Sequence, residues 1–487
     1  MMNGREYIES LRKYRPVVYF MGRKIQSVAD DPVTAPHVNA AALTYELAHD
    51  PRYEDVMTAT SHLTGEKINR FTHIHQSTED LVKKVRMMRL LGQKTGSCFQ
   101  RCVGLDAINA VYITSYDVDE KYKTDYHERV REYVKYVQKK DLMVAGAMTD
   151  VKGDRSLRPH EQADKDLYVR VVEKREDGIV VRGAKAHITG AVNSHEILVL
   201  PTRAMSEKDK DYAVAFAVPV DAEGVKMIFG RQTNDTRRLD GEIDCGNAKY
   251  ATVGGEALII FEDVFVPWDR VFMCGEYDFS AELVEIFATF HRQNYGGCKV
   301  GVADVLIGAA ASVAECNGVA EASHVVDKIT EMIHLAETCW CCSLACSYEG
   351  FKTPSGAYMP NQLLANVTKL NITRLPYEWS RLAQDIAGGI IATMPSEKDY
   401  ANPETRKLIE KYLKGVANVP TEERMRLIRL VENLSIGAEL PESMHGAGSP
   451  QAQKIMILRR SNLEMKKELA KIIAGILPDD NYRKIRG

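Results

Sequence analysis

The chain has 487 residues, with 64 Lys and Arg against 67 Asp and Glu, for a net charge of −3. At roughly 150 residues per domain this predicts about three domains. The even charge balance and the lack of any Lys/Arg block exclude a nucleic-acid surface. The first residues, MMNGREYIESLRKYRP, hold no apolar signal core, and no stretch approaches the ~18 uninterrupted apolar residues of a membrane span. A cytoplasmic protein with no membrane contact is expected. In such a chain the ten cysteines are better read as free thiols or metal ligands than as disulfides.

Proline placement divides the chain. None occurs between Pro51 and Pro159 or between Pro267 and Pro354, so both intervals can carry long helices. The first includes the helix-forming run EDLVKKVRMMRLLGQ at 79–93. Residues 166–200 are instead rich in Val and Ile, with Asp177-Gly178 as a hairpin signal. A second β-like run, EALIIFEDVFVPWDRVF, covers 256–272, where Pro267 suits a strand end. Helical spacing returns with Leu283, Ile286, Phe287 and Phe290. Residues 396–421 read as a polar loop or short connecting helix. Near the end, Met465, Leu469, Ile472, Ile473 and Ile476 share one face of an amphipathic helix. The expected fold is α+β: an N-terminal helical domain (1–140), a central β domain (141–275) and a C-terminal helical domain (276–487).

Two segments stand out chemically. CFQRC puts Cys98 and Cys102 four residues apart, on one face if the segment is helical. FATFHRQNYGGCKVG puts His291, Tyr295, Cys298 and Lys299 on one side of a helix whose flanks are apolar. Such a stripe is costly to bury unless its members have partners. Three thiolates and one imidazole could hold an iron–sulfur cluster or a zinc ion, and spacing alone does not separate them. The blander reading is a hydrogen-bonded core histidine among inert cysteines. Gly296-Gly297 would let another backbone or a ligand come close. CWCCSLAC (339–346) has more cysteine but no histidine nearby, and reads as small residues packing a core helix.

TGSCFQRC, HRQNYGGCKVG and ESMHGAGSPQAQ together resemble the flavin-dependent 4-hydroxyphenylacetate 3-hydroxylase family, over nearly the whole chain. The likeness is to its branch that dehydrates 4-hydroxybutyryl-CoA to crotonyl-CoA and isomerises vinylacetyl-CoA. It implies an acyl-CoA dehydrogenase-like fold, a homotetramer, an acyl-CoA thioester substrate, one FAD and one 4Fe–4S cluster. The implied cluster ligands are Cys98, Cys102, His291 and Cys298. For the flavin the resemblance points to Met148, Thr149 and Asp150 in GAMTDVKGDR, to Lys185 and Thr189 in AKAHITGAVNSHE, and to Gly388 and Gly389 in DIAGGIIATMPS. Glu442 and Glu256 become candidate proton carriers. Tyr295 and Lys299 could orient the substrate hydroxyl or tune the flavin, and His291 could serve as ligand and base in turn.

That chemistry explains why a flavin is needed. Dehydrating a 4-hydroxyacyl thioester removes a C3 proton that the thioester does not acidify. A single positioned base contributes only ~10²–10⁴-fold. A cofactor that takes one electron and returns it makes the proton removable. The alternative is a flavin-dependent aromatic monooxygenase of the same family, which needs no cluster.

Overall fold

The computed structural model describes residues 1–232, 235–251 and 253–478. The helix Thr78–Thr95 forms where the 79–93 run predicts one. Ser77 caps its start by accepting from Asp80 N, Glu79 and Asp80 sit in the first turn, and left-handed Gly96 (φ 55°) ends it. Helices Cys102–Tyr122 and Tyr126–Lys140 follow.

Residues 1–140 are nevertheless not wholly helical. Val17–Phe20 and Arg23–Ile25 form a hairpin across Met21-Gly22, both with positive φ (49° and 79°), the conformation that matches strand twist. Val18 and Phe20 point inward, so this short apolar run is stable only by joining the main sheet. It pairs in parallel with Val225–Phe229.

Two sheets form the middle of the molecule. The larger runs Arg23–Ile25, Val17–Phe20, Val225–Phe229, Ala257–Pro267, Gly178–Ile188, Arg170–Lys174. The smaller runs Val271–Cys274, Val214–Pro219, Glu196–Val199, Val144–Ala147. The hairpin signalled by Asp177-Gly178 is present, and Pro267 closes its strand as expected.

The long helix Ser280–Cys316 organises the rest, packing on Thr78–Thr95, Cys102–Tyr122, Ser323–Tyr348, Gln362–Ile372 and Thr421–Ser435. The stretch Tyr277–Cys316 is long and apolar enough to cross a membrane by length and composition. Its apolarity is that of a core helix, since most of its faces are covered by these neighbours. Gly296-Gly297 does not interrupt it. A Cβ at Gly297 would lie 2.6 Å from Val85 O, and one at Gly301 would lie 2.2 Å from Arg89 O, so these glycines set how closely the long helix meets Thr78–Thr95.

CWCCSLAC lies in Ser323–Tyr348, with Cys339 and Cys346 in the core and Cys341 exposed. Residues 396–421 contain two short helices, Glu397–Ala401 and Pro403–Tyr412. The last helix, Leu463–Ile473, corrects the expected apolar face. Met465 and Leu469 are half-buried and Ile472 is buried, whereas Ile473 is 88% exposed and Ile476 lies beyond the helix end at 69%. Ile473 falls a full 100° round from Ile472 and cannot share its contact.

Gly301→Ala should destabilise the fold by about 1–3 kcal/mol through overpacking. Gly308→Ala on the same helix, where nothing lies within 4 Å of the added carbon, should leave stability unchanged or slightly raised. Denaturant unfolding of the two variants checks this.

Candidate functional site

The break between the first two large helices makes the site. Gly96 reverses the chain, with its N–H on Gly92 O at 2.8 Å. Gln100 takes a positive φ of 70°, and the next helix begins at Cys102. Cys98 is therefore in a loop, which corrects the expectation of CFQRC on one helix face. The left-handed Gly96 ends the helix before the first cysteine. Cys98 Sγ packs against the 254–255 turn, where a Cβ on Gly254 would lie 3.0 Å from it.

A cavity opens where this loop, the long helix and the short helix carrying Glu442 meet. Cys98, Cys102, His291 and Cys298 all line it, together with Thr189, Tyr295, Lys299 and Glu442. Phe99, Val103 and Val302 supply apolar wall. Burial pushes the thiols of Cys98 and Cys102 far up and that of Cys298 to about 12. As free side chains they would stay protonated, and only a cation among them would make thiolates favourable. Among the described residues, no three His, Cys, Asp or Glu side chains converge closely enough for a single metal ion.

The histidine is fixed from behind. Its Nδ1 lies 2.8 Å from Asp106 Oδ2. Asp106 is wholly buried and also accepts from Lys84 Nζ (2.6 Å, through Oδ1) and Asn294 Nδ2 (2.5 Å). With Nδ1 engaged as donor to a carboxylate, the ring presents the Nε2 lone pair, the arrangement common behind metal-bound histidines. Lys84 is held further by Phe290 O (3.1 Å) and Gln293 Oε1 (3.3 Å).

Proton-carrying groups lie beside the donors. Tyr295 donates to Glu442 Oε1 at 2.7 Å, and Lys299 bridges Glu439 Oε1 (2.8 Å) and Glu442 Oε2. Burial works against the Glu442 carboxylate, yet Lys299, Tyr295 and Lys369 together hold it below the ordinary range. Glu439, equally buried, is pushed up. Glu256 stands just outside the cavity, bonded by Thr189 Oγ1 (3.2 Å) and Gln232 Nε2 (2.8 Å). Burial and the nearby Glu442 raise its pKa to about 7.

The residues expected at the flavin are dispersed. Thr189 faces the cavity. Lys185 and Asp150 form a buried pair at 2.9 Å, and Lys185 also donates to Met148 O (2.9 Å) and Leu200 O (2.7 Å). Asp150 Oδ1 accepts from Val169 N (2.9 Å). Both side chains are spent inside the protein and can serve a ligand only by fixing the backbone of Met148, Thr149 and Asp150. Gly388 and Gly389 lie apart, at the end of the helix Leu375–Ala387, where an added Cβ on either would meet nothing within 4 Å.

Sequence reasoning missed Asp106, Lys84 and Glu439. One signal was available: an Asp one turn after Cys102, inside the otherwise apolar CVGLDAINAVYIT. Asp106→Ala should cost about 3–5 kcal/mol, because Lys84 keeps a buried charge without its partner. Adding Lys84→Met should recover part of that loss, and equilibrium unfolding of the single and double variants measures it.

The model for the N-terminal part of 4-hydroxyphenylacetate 3-hydroxylase matches residues 3–273, and that for its C-terminal part matches 280–475. The chain is 57% identical to the 4-hydroxybutyryl-CoA dehydratase/vinylacetyl-CoA-Delta-isomerase of Clostridium aminobutyricum, over 98% of this chain and 100% of that one. An oxygen-tolerant archaeal 4-hydroxybutyryl-CoA dehydratase from N. maritimus superposes with a TM-score of 0.96 at 53% identity, over 98% of this chain and 95% of that chain. The oxygenase component of 4-hydroxyphenylacetate 3-monooxygenase, complexed with FAD, superposes at 0.84 with 26% identity, over 97% and 98%. Matched along nearly its whole length, the chain belongs to the 4-hydroxyphenylacetate 3-hydroxylase family, among its 4-hydroxybutyryl-CoA dehydratase relatives.

Proposed function

We propose that this enzyme converts 4-hydroxybutyryl-CoA to crotonyl-CoA and isomerises vinylacetyl-CoA, using FAD and a 4Fe–4S cluster. The observation that carries the reading is the candidate donor set: the thiols of Cys98, Cys102 and Cys298 and the imidazole of His291 line one cavity, beside Tyr295, Lys299 and Glu442. Three thiols and an imidazole are ligand types that hold an iron–sulfur cluster. Cys98, Cys102, His291 and Cys298 would hold it. Strong likeness to dehydratases from two sources supports the substrate, and the FAD-bound relative supports the flavin.

When bound, the flavin supplies one-electron chemistry and the cluster a Lewis acid for the leaving hydroxyl. The protein's own groups handle protons. His291, oriented through Nδ1 by Asp106, would take a substrate proton on Nε2. Glu442, held ionised, is a second acceptor, with Tyr295 as the hydroxyl that relays to it. Glu256, near pKa 7, can hold a proton at neutral pH and give it up. Lys299 keeps positive charge beside whatever anion forms, and Phe99, Val103 and Val302 limit water.

The flavin assignment rests on the rigid backbone of Met148–Asp150 with Lys185 behind it, on Thr189, and on the open Gly388-Gly389 pair. These glycines can bring amides to a pyrophosphate from a neighbouring subunit of a homotetramer. Three domains divided near residues 140 and 275, in acyl-CoA dehydrogenase-like order, complete the proposal.

Anaerobically purified protein should contain about four irons with matching acid-labile sulfide and flavin, and should form crotonyl-CoA from 4-hydroxybutyryl-CoA. Flavin without iron would instead support the aromatic monooxygenase reading. His291→Cys should retain iron yet lose turnover, and Glu442→Gln should lower kcat by ~10²–10⁴-fold. Because Glu256 is protonated only below its raised pKa, kcat/KM should fall as pH rises through about 7. Glu256→Gln, which cannot ionise, should lack that limb in the pH profile.

A further inference from the structure

Two buried basic side chains lie outside the candidate donor set. Lys369, on the helix Gln362–Ile372, is wholly buried, and Arg292, on the long helix, is 7% exposed. Among the described residues neither makes a salt bridge. Both give their charge to backbone carbonyls of the same short turn. Lys369 Nζ donates to Ser443 O at 2.5 Å and Met444 O at 3.4 Å, and Arg292 Nε donates to Ala447 O at 3.0 Å. Arg292 Nη1 is braced by Asn366 Oδ1 at 2.6 Å, one turn before Lys369.

That turn ends the helix Glu439–His445, which carries Glu442. The last carbonyls of a helix are its unsatisfied, negative end, and a buried ammonium there is offset by them. Lys369 Nζ also sits 4.2 Å from the centroid of the Tyr295 ring, a cation–π contact to the very residue whose hydroxyl binds Glu442. The turn leaves no slack. A Cβ on Gly446 would lie 1.8 Å from Tyr295 Oη and 2.8 Å from Glu442 Oε1. Ala447 (φ 57°) and Gly448 (φ 98°) follow in left-handed conformations that need outside support.

We propose that Lys369, assisted by Arg292, is a positioning residue: it pins the 443–447 turn and the Tyr295 ring together, and so aims the Glu442 carboxylate into the cavity. The inference rests on the reading of Glu442 as a proton carrier. A lysine buried without a direct ion pair has no simpler task here, since a Leu or Met of similar length would fill the space without desolvating a charge. Burial lowers the ammonium's pKa to about 7, and the nearby Glu442 opposes the fall.

The test uses the holoenzyme and its Lys369→Met and Lys369→Arg variants, with iron and flavin content checked for each. Amide hydrogen exchange over 442–448 is followed without substrate, then kcat and KM are measured with 4-hydroxybutyryl-CoA. Lys369→Met should raise exchange in this segment at least tenfold and lower kcat ten- to a hundredfold. KM should move less than threefold and cofactor content should stay at the parent level. Lys369→Arg, which keeps the charge, should restore much of both. Unchanged exchange in Lys369→Met, or faster exchange with parental kcat, overturns the proposal. If Lys369→Met does not fold, Asn366→Ala, which releases Arg292 alone, is read by the same two criteria. A parent enzyme that leaves this substrate untouched would refute the functional reading, while the exchange result would still decide whether the clamp exists.

Discussion

A carboxylate buried out of contact with solvent is the constraint on which the site depends. Asp106 is wholly buried, and a bare charge there would be prohibitively costly. Its partners come from two other helices: Lys84 from Thr78–Thr95, and His291 and Asn294 from the long helix, with Asp106 itself on Cys102–Tyr122. These helices must approach closely to satisfy it, and Gly92, Gly297 and Gly301 allow the approach where any side chain would collide with backbone. Satisfying Asp106 also sets the imidazole. Oδ1 neutralises Lys84, while Oδ2 engages Nδ1 and leaves Nε2 toward the cavity. The orientation of the candidate ligand is thus a by-product of core electrostatics.

Around the cavity, burial acts on every ionisable group, and the neighbours decide the outcome. Glu442 and Glu256 are both buried carboxyls, yet they are pushed in opposite directions. Glu442 has Lys299, Tyr295 and Lys369 about it and stays ionised. Glu256 is bonded by a hydroxyl and an amide and faces Glu442 itself, so its proton is held to about pH 7. Two carboxyls separated in this way can serve as base and acid in one turnover, the usual arrangement when a fold must do both near neutrality. The thiols follow the same logic. Desolvation favours their protonated forms, so the protein has made sites that become thiolates only with a cation among them.

Much of this was legible in the sequence, for reasons that can be named. Proline spacing and 3.6-residue periodicity located the long helices, and Asp177-Gly178 and Pro267 marked strand ends, because these signals are local. His291, Tyr295, Cys298 and Lys299 reach one cavity as their helical spacing implied. What failed was non-local or hinged on one residue. Cys98 and Cys102 have helical spacing, but Gly96 ends the preceding helix and the next begins at Cys102. Val17–Phe20 is too short to declare itself a strand without Val225–Phe229, more than two hundred residues later. Asp106 was invisible as a functional residue because its meaning lies in Lys84 and His291, brought to it only by folding. Lys185 and Asp150, which the resemblance points to for the flavin, form a buried pair that their separation in the sequence did not show.

The break between Gly96 and Gln100 also answers why the donor set could not come from two regular helices. Residues four apart on a helix lie one above the other on a single face, so a helical CFQRC would present both thiols from one side, in line with each other. The long helix already presents His291 and Cys298 in that stacked manner, seven residues apart. Gly96 turns the chain before Cys98, and Gln100, at φ 70° with its side chain donating to His37 O, returns the backbone to helix in time to place Cys102. The two left-handed residues thus separate Cys98 from the face of Cys102, while Asp106, one turn further along, anchors the helix that follows.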